Sequence, residues 1–214
     1  MSRRTPHLEE NRTISKQPGN SSGFSLIELL MTLLILCVAS AALCSVLTDI
    51  QQTAGYHVEI QSVLNNTQIA MQTVQRYIRQ AGNDPFRTGL TGITIVGPGE
   101  MRIQSDLTGS AGPGNPDKGD PDGDTQDAAE NVTIRFNGRT RSLEIVPAGA
   151  SAQIIAGYIS GLNFTYYDAA GNPTTSGADV RKIGVSISGA SLRPDPRTRQ
   201  VFGVQLKSEI QVCS

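Results

Sequence analysis

The chain has no Trp, two His and three Cys among its 214 residues. His7 and His57 are far apart and in unlike surroundings, so there is little material for a histidine metal cluster or a Ser-His-Asp hydrolase. Cys37, Cys44 and Cys213 make neither a disulfide framework nor a zinc-ligand spacing. An excess of one charge is also missing: 18 Lys and Arg against 19 Asp and Glu leave a formal net charge of −1. Phosphate binding normally needs a clear basic excess, so nucleic acid is not expected as a partner. The 22 Gly and 11 Pro are ordinary in number but unevenly spread, and the dense stretches read as loops.

What is present is one apolar run, Phe24 to Leu47, with a single charge at Glu28. As a helix it would be about 36 Å long, enough to cross a hydrocarbon core of about 30 Å with some tilt. Arg3, Arg4, Arg12 and Lys16 outnumber Glu9 and Glu10 ahead of it, which keeps the leader cytoplasmic and exports the chain beyond Leu47. A secretory signal is disfavoured, because its apolar core spans only roughly 7–15 residues. A plain single-pass anchor leaves Glu28 unexplained, since an ionisable group in a span costs on the order of a few kcal/mol. Cys37 and Cys44 read as small thiols on one helical face.

The local sequence is Gly23-Phe24-Ser25-Leu26-Ile27-Glu28-Leu29-Leu30. This resembles the type IV prepilin signature shared by type IV pilins and the pseudopilins of type II secretion. The resemblance implies a cut by prepilin peptidase between Gly23 and Phe24, methylation of the Phe24 amine, and an assembly role for Glu28. It implies as partners the peptidase, other pilins or pseudopilins, and inner-membrane lipid before assembly. Glu28 would lie one turn into the helix, near its positive end, where a carboxylate is eased. In staggered helices it can meet a neighbour's Phe24 amine and neutralise two buried charges together.

Beyond Asp49 a stripe of Ile60, Val63, Leu64, Thr67, Ala70, Met71, Val74, Tyr77, Ile78 and Ala81 recurs at steps of three and four. One helix from about Ser25 to Ala81 is expected, softest at Thr53-Ala54-Gly55 and closed by Gly82 and Pro85. Residues 93–96, 101–103, 131–136, 141–146, 161–167, 182–188 and 201–212 read as strands of one antiparallel sheet packed on the stripe. Asn137-Gly138 is expected as a hairpin turn and Gly203 as a bulge. The fold class is α+β. Residues 1–23 read as a cytoplasmic leader, 24–47 as a transmembrane or filament-core helix and 48–82 as an amphipathic spine. Residues 83–214 read as an exported β-rich head, with an acidic loop at 106–130.

The stretch Ile78 to Pro85, the run Glu130-Asn131-Val132-Thr133-Ile134-Arg135-Phe136 and the strand Phe164-Thr165-Tyr166-Tyr167-Asp168 resemble PilW-type minor pilins. The C-terminus departs from that pattern, for it lacks the usual closing Arg-Asn.

Within the acidic loop, Asp120, Asp122 and Asp124 alternate around Gly123, followed by Asp127 and Glu130. Hard oxygens so spaced suit Ca²⁺, with Asp120, Asp122, Asp124 and Asp127 as ligands and Glu130 in reserve. A solvated acidic loop with no metal fits the same residues. Arg193, Arg197 and Arg199 fall in an expected exposed hairpin loop, and His57 on the helix surface.

The leading expectation is a structural minor pilin, with a type II secretion minor pseudopilin as the close alternative. A membrane-tethered exported enzyme or ligand-binding domain would need a clustered polar site in 83–214. No catalytic grouping stands out there, so no enzyme is expected.

Overall fold

The computed structural model describes residues 25–109, 121–127 and 129–212. It divides into two compact units whose boundary falls between Thr48 and Asp49.

Helix α1, Leu26–Gln80, begins in the first unit and continues into the second. Ser25 caps it: its Oγ accepts the Ile27 N–H and its carbonyl accepts those of Glu28 and Leu29. The large apolar side chains from Leu26 to Leu47 are exposed, and α1 is long and apolar enough to cross a membrane. The hydroxyls of Thr32, Ser45 and Thr48 donate to the carbonyls of Leu29, Ala42 and Cys44. These three hydroxyls are thereby satisfied without water, as lipid would demand.

In the second unit α1 continues through Thr53-Ala54-Gly55 without a break. Val63, Thr67, Ala70, Met71, Val74 and Ile78 are buried, tracing the expected stripe. Leu64 departs from it and is 43% exposed. Successive helical residues diverge by about 100°, so with Val63 centred on the sheets its neighbour turns to the rim. Gly82 takes a φ of 74° just past the helix, and its N–H donates to the Gln104 carbonyl. The last turn thus hands directly onto a strand.

The strands are β1 Ile93–Gly97, β2 Glu100–Gln104, β3 Asn131–Asn137, β4 Ser142–Pro147, β5 Gln153–Ala156, β6 Ile159–Tyr167, β7 Lys182–Pro194 and β8 Val201–Gln211. They form two antiparallel sheets, β1 to β5 in sequence order and β6-β7-β8, in place of the single sheet expected. The division falls at Gly157-Tyr158, where Tyr158 at φ 60° turns the chain out of the first sheet. Strand β5 is absent from the sequence-based expectation, because Gln153 and Ile154 are both exposed and the segment shows no alternation. The β3–β4 connection is not turned by Asn137-Gly138, for Asn137 belongs to β3 and the connection runs over residues 138–141. Asn137 pairs with Ser142, and the left-handed position is taken by Arg141. Asn137 Oδ1 accepts the N–H groups of Arg139 and Thr140 and holds that loop. Gly203 pairs regularly with Ala190; the irregularity lies on β7 before Pro194.

One core gathers the stripe with inward residues of both sheets, among them Met101, Ile103, Val132, Ile134, Leu143, Ile183, Val185 and Ile187. Gly189 on β7 permits close approach of the helix, since a Cβ there would collide with Thr67 Oγ1 and press on Val63.

Candidate functional site

Two regions carry the residues that the sequence singles out. At the N-terminal end, Gly23 and Phe24 lie outside the described residues. Glu28 is exposed in the first turn of α1, where the unsatisfied N–H groups favour a carboxylate. The ion pairs of the described residues, Arg135–Glu144 and Lys182–Glu209, do not involve it. Cys37 and Cys44 are free and exposed on the same stretch.

The acidic loop is organised around two carboxylates, Asp106 and Glu130, both fully buried. Asp106 accepts the backbone N–H groups of Asp122 and Gly123 through its two oxygens, at 3.2 and 3.0 Å. Its own N–H donates to the Asn83 carbonyl, and the Asn83 amide donates back to the Asp106 carbonyl. The loop is therefore fastened to the residue just past the helix. Glu130 Oε1 accepts the N–H groups of Leu107 and Thr108, each at 2.7 Å. Glu130 Oε2 is buried without a hydrogen-bond partner.

Of the expected Ca²⁺ ligands, Asp120 lies outside the described residues. Asp122 Oδ1 accepts the Asp124 N–H, and Asp124 Oδ1 accepts the Gln126 N–H, so both cap their own turn. Asp127 Oδ2 and Glu130 Oε1 converge on the Thr108 hydroxyl, at 3.5 and 3.4 Å. Among the described residues, no three His, Cys, Asp or Glu side chains are grouped to hold a metal. Asp106 carried no sequence signal for this role. Its partners lie 16 and 17 residues away, and neither periodicity nor motif spacing reports such a contact.

Elsewhere, Arg193 near the end of β7 and Arg197 and Arg199 on the β7–β8 connection are exposed, and His57 is exposed on α1. A cleft on the outer face of β6, β7 and β8 is lined by Asn163, Thr165, Tyr167, Gln205, Lys207 and Glu209 among others, with no His or Cys.

Residues 19–43 match the prokaryotic N-terminal methylation motif, a span that includes Gly23, Phe24 and Glu28. No curated protein matches the chain. The motif, one long apolar helix and antiparallel sheets packed on its second half make up a type IV pilin-like α+β architecture. The match covers 25 of the 214 residues and supports a type IV pilin-like prepilin protein.

Proposed function

We propose that the chain is a minor pilin, closest to the PilW type, that is inserted into a type IV pilus or primes or caps one. Prepilin peptidase cuts the precursor between Gly23 and Phe24, and the new Phe24 amine is methylated. The leader stays in the cytoplasm, the apolar half of α1 waits in the inner membrane, and the head is exported. The observation that carries this reading is the methylation motif heading a 55-residue helix whose first half exposes its apolar side chains. Such a surface needs lipid first and neighbouring helices afterwards. Cleavage supplies a positive amine beside an apolar rod, and Glu28 supplies the matching carboxylate in the next subunit. The role is structural, and it is the exposed rod, not a pocket, that supports it.

Mass spectrometry of the mature protein should find N-methylated Phe24 as its first residue. Replacing Gly23 with a bulky residue should leave the precursor uncut. A mature N-terminus beyond Leu47 would refute the proposal. Membrane pull-downs that recover secretion components in place of pilus subunits would move the chain to the minor pseudopilins of type II secretion.

For the acidic loop, the unpartnered Glu130 Oε2 favours the Ca²⁺ reading, with Asp127 close by and Asp122 and Asp124 on the adjoining turn. Millimolar Ca²⁺ should raise the melting temperature of the wild type and not of Glu130→Gln. An unmoved wild-type melt retires the metal.

A further inference from the structure

We infer that the open edge of β8 is a docking site for a β-strand of another protein, one that alternates apolar and polar residues and sets a carboxylate across from Lys207. The site lies wholly within the second unit and does not depend on the minor-pilin reading. Strand β8 spans 11 residues and sits at the end of its sheet, paired with β7. Its register with β7 runs unbroken from Gln211 to Gly203. The Val212 N–H just beyond donates to the Arg181 carbonyl, and the Phe202 N–H at the other end donates to Ser191 Oγ on β7. Antiparallel pairing alternates along a strand, so the even-numbered residues of β8 bond to β7. The N–H and C=O groups of Gly203, Gln205, Lys207 and Glu209 therefore face away from the sheet, and none has a partner among the described residues. The edges of β6 and β1 are closed instead. On β6 the Phe164 N–H donates to the Pro98 carbonyl, and the Tyr166 carbonyl accepts the Thr174 N–H. Beside β1, Gly177 lies so close that a Cβ there would strike the Ile93 carbonyl oxygen. Strand β5 also ends a sheet but is only 4 residues long.

An open edge presents donors and acceptors in alternation, and a second strand is the group that satisfies them in register. The inner face sets the apolar half of the occupant. Val185 and Ile187 on β7 are buried, whereas Val204 and Leu206 on β8 are only partly so. The flank of α1 over β8 is open as well. Gln75 donates to Ser208 Oγ at 2.9 Å, which places that flank against β8. Leu64 precedes Gln75 by about three turns and projects within roughly 20° of it, so its exposed side chain belongs to the same flank. Gly189 fixes the level, since a Cβ there would be in contact with both Val63 and Val204. Leu64, Val204 and Leu206 thus border one apolar seam, and a strand laid along β8 would cover it with its own inward side chains. The outer face sets the polar half. Glu209 is taken by Lys182, while Lys207 forms no ion pair among the described residues. A lysine on an open edge disfavours strands that bring a cation opposite it and favours one that brings a carboxylate. Lys207 is therefore the selective element of an edge whose backbone is indifferent to sequence.

The test uses the full chain in detergent micelles and a synthetic probe, acetyl-Thr-Val-Thr-Val-Glu-Val-Thr-Val-Thr-amide. At millimolar probe, residue-resolved amide exchange should slow at least fivefold at Gly203, Gln205, Lys207 and Glu209. It should stay unchanged at Val204, Leu206 and Ser208, whose donors already face β7. A probe with Lys in place of its Glu should bind at least threefold more weakly, and Lys207→Glu in the chain should reverse that preference. Gln205→Pro removes one outward donor and no bond to β7, so it should abolish the protection. If Gln205→Pro lowers the melting temperature, Lys207→Glu read against the two probes decides the matter alone. No protection, equal protection of odd and even residues, or equal binding of acetyl-Val-Val-Thr-Thr-Glu-Thr-Thr-Val-Val-amide overturns the inference. So does protection that appears without probe and grows with chain concentration, which would assign the edge to a second copy.

Discussion

Asp106 and Glu130 fasten the acidic loop from opposite ends, each accepting two backbone N–H groups from the other segment. Replacing Asp106 with Ala leaves the Asp122 and Gly123 donors without their acceptor, at about 1–3 kcal/mol; denaturant unfolding of the full chain should register that loss. Tyr166 presents the opposite case. Its ring lies in the core, its hydroxyl is buried without a partner, and burial pushes its pKa up. Tyr166→Phe removes an unsatisfied group and keeps the ring, so the melting temperature should hold or rise. Glu144 is buried on β4 and receives hydrogen bonds from Asn137 and Arg135. The Asn137 amide and then the Arg135 guanidinium hold its pKa below the ordinary value of 4.5, against the opposing effect of burial. A depressed carboxylate stabilises the fold fully above its unfolded value and loses that contribution as pH falls through the folded one. Thermal melts of wild type and Glu144→Gln should therefore differ at neutral pH and converge as the pH falls below 4.5 through the depressed folded value.

At the scale of elements, the junction between α1 and the sheets is the tightest point of the second unit. A Cβ on Gly92 would fall 2.5 Å from the backbone nitrogen of Gly82. The Gly82 nitrogen and its Cα, at 2.6 Å, are backbone that cannot rotate away, so Gly92→Ala should cost about 1–3 kcal/mol, as overpacking does. Within α1, burial separates residues that the sequence makes look alike. Ile78 is fully buried, whereas Leu64 is 43% exposed. Ile78→Ala should cost about 2–5 kcal/mol by leaving a cavity, and Leu64→Ala well under half of that; urea titration of the two variants measures the contrast. Helix existence, its bounds to within a residue and the inward face are legible because the 3.6-residue period repeats over many turns. The β3–β4 loop is not, because Asn-Gly is a strong two-residue turn signal, yet here the Asn137 side chain organises a longer loop and Arg141 takes the left-handed position.

For the whole molecule, the exposed apolar half of α1 and the single carboxylate at Glu28 set the central expectation. Glu28→Leu should leave the helix apolar enough to insert and the precursor able to reach the membrane. It should reduce co-purification with other pilins at least tenfold, measured by quantitative mass spectrometry of sheared filaments. Unchanged incorporation would show that no neighbour's amine meets this residue. The long apolar helix, the prepilin-type motif and the α+β class were all readable from residue order, because each depends on neighbours within a few turns of chain. The two-sheet division, the pairing of Asp106 with residues 122 and 123, and the setting of the arginine-rich tip beside Gln51 were not. Those arise from contacts between segments 16 to more than a hundred residues apart, where the free energy of packing selects one partner among many that the chain chemistry allows equally.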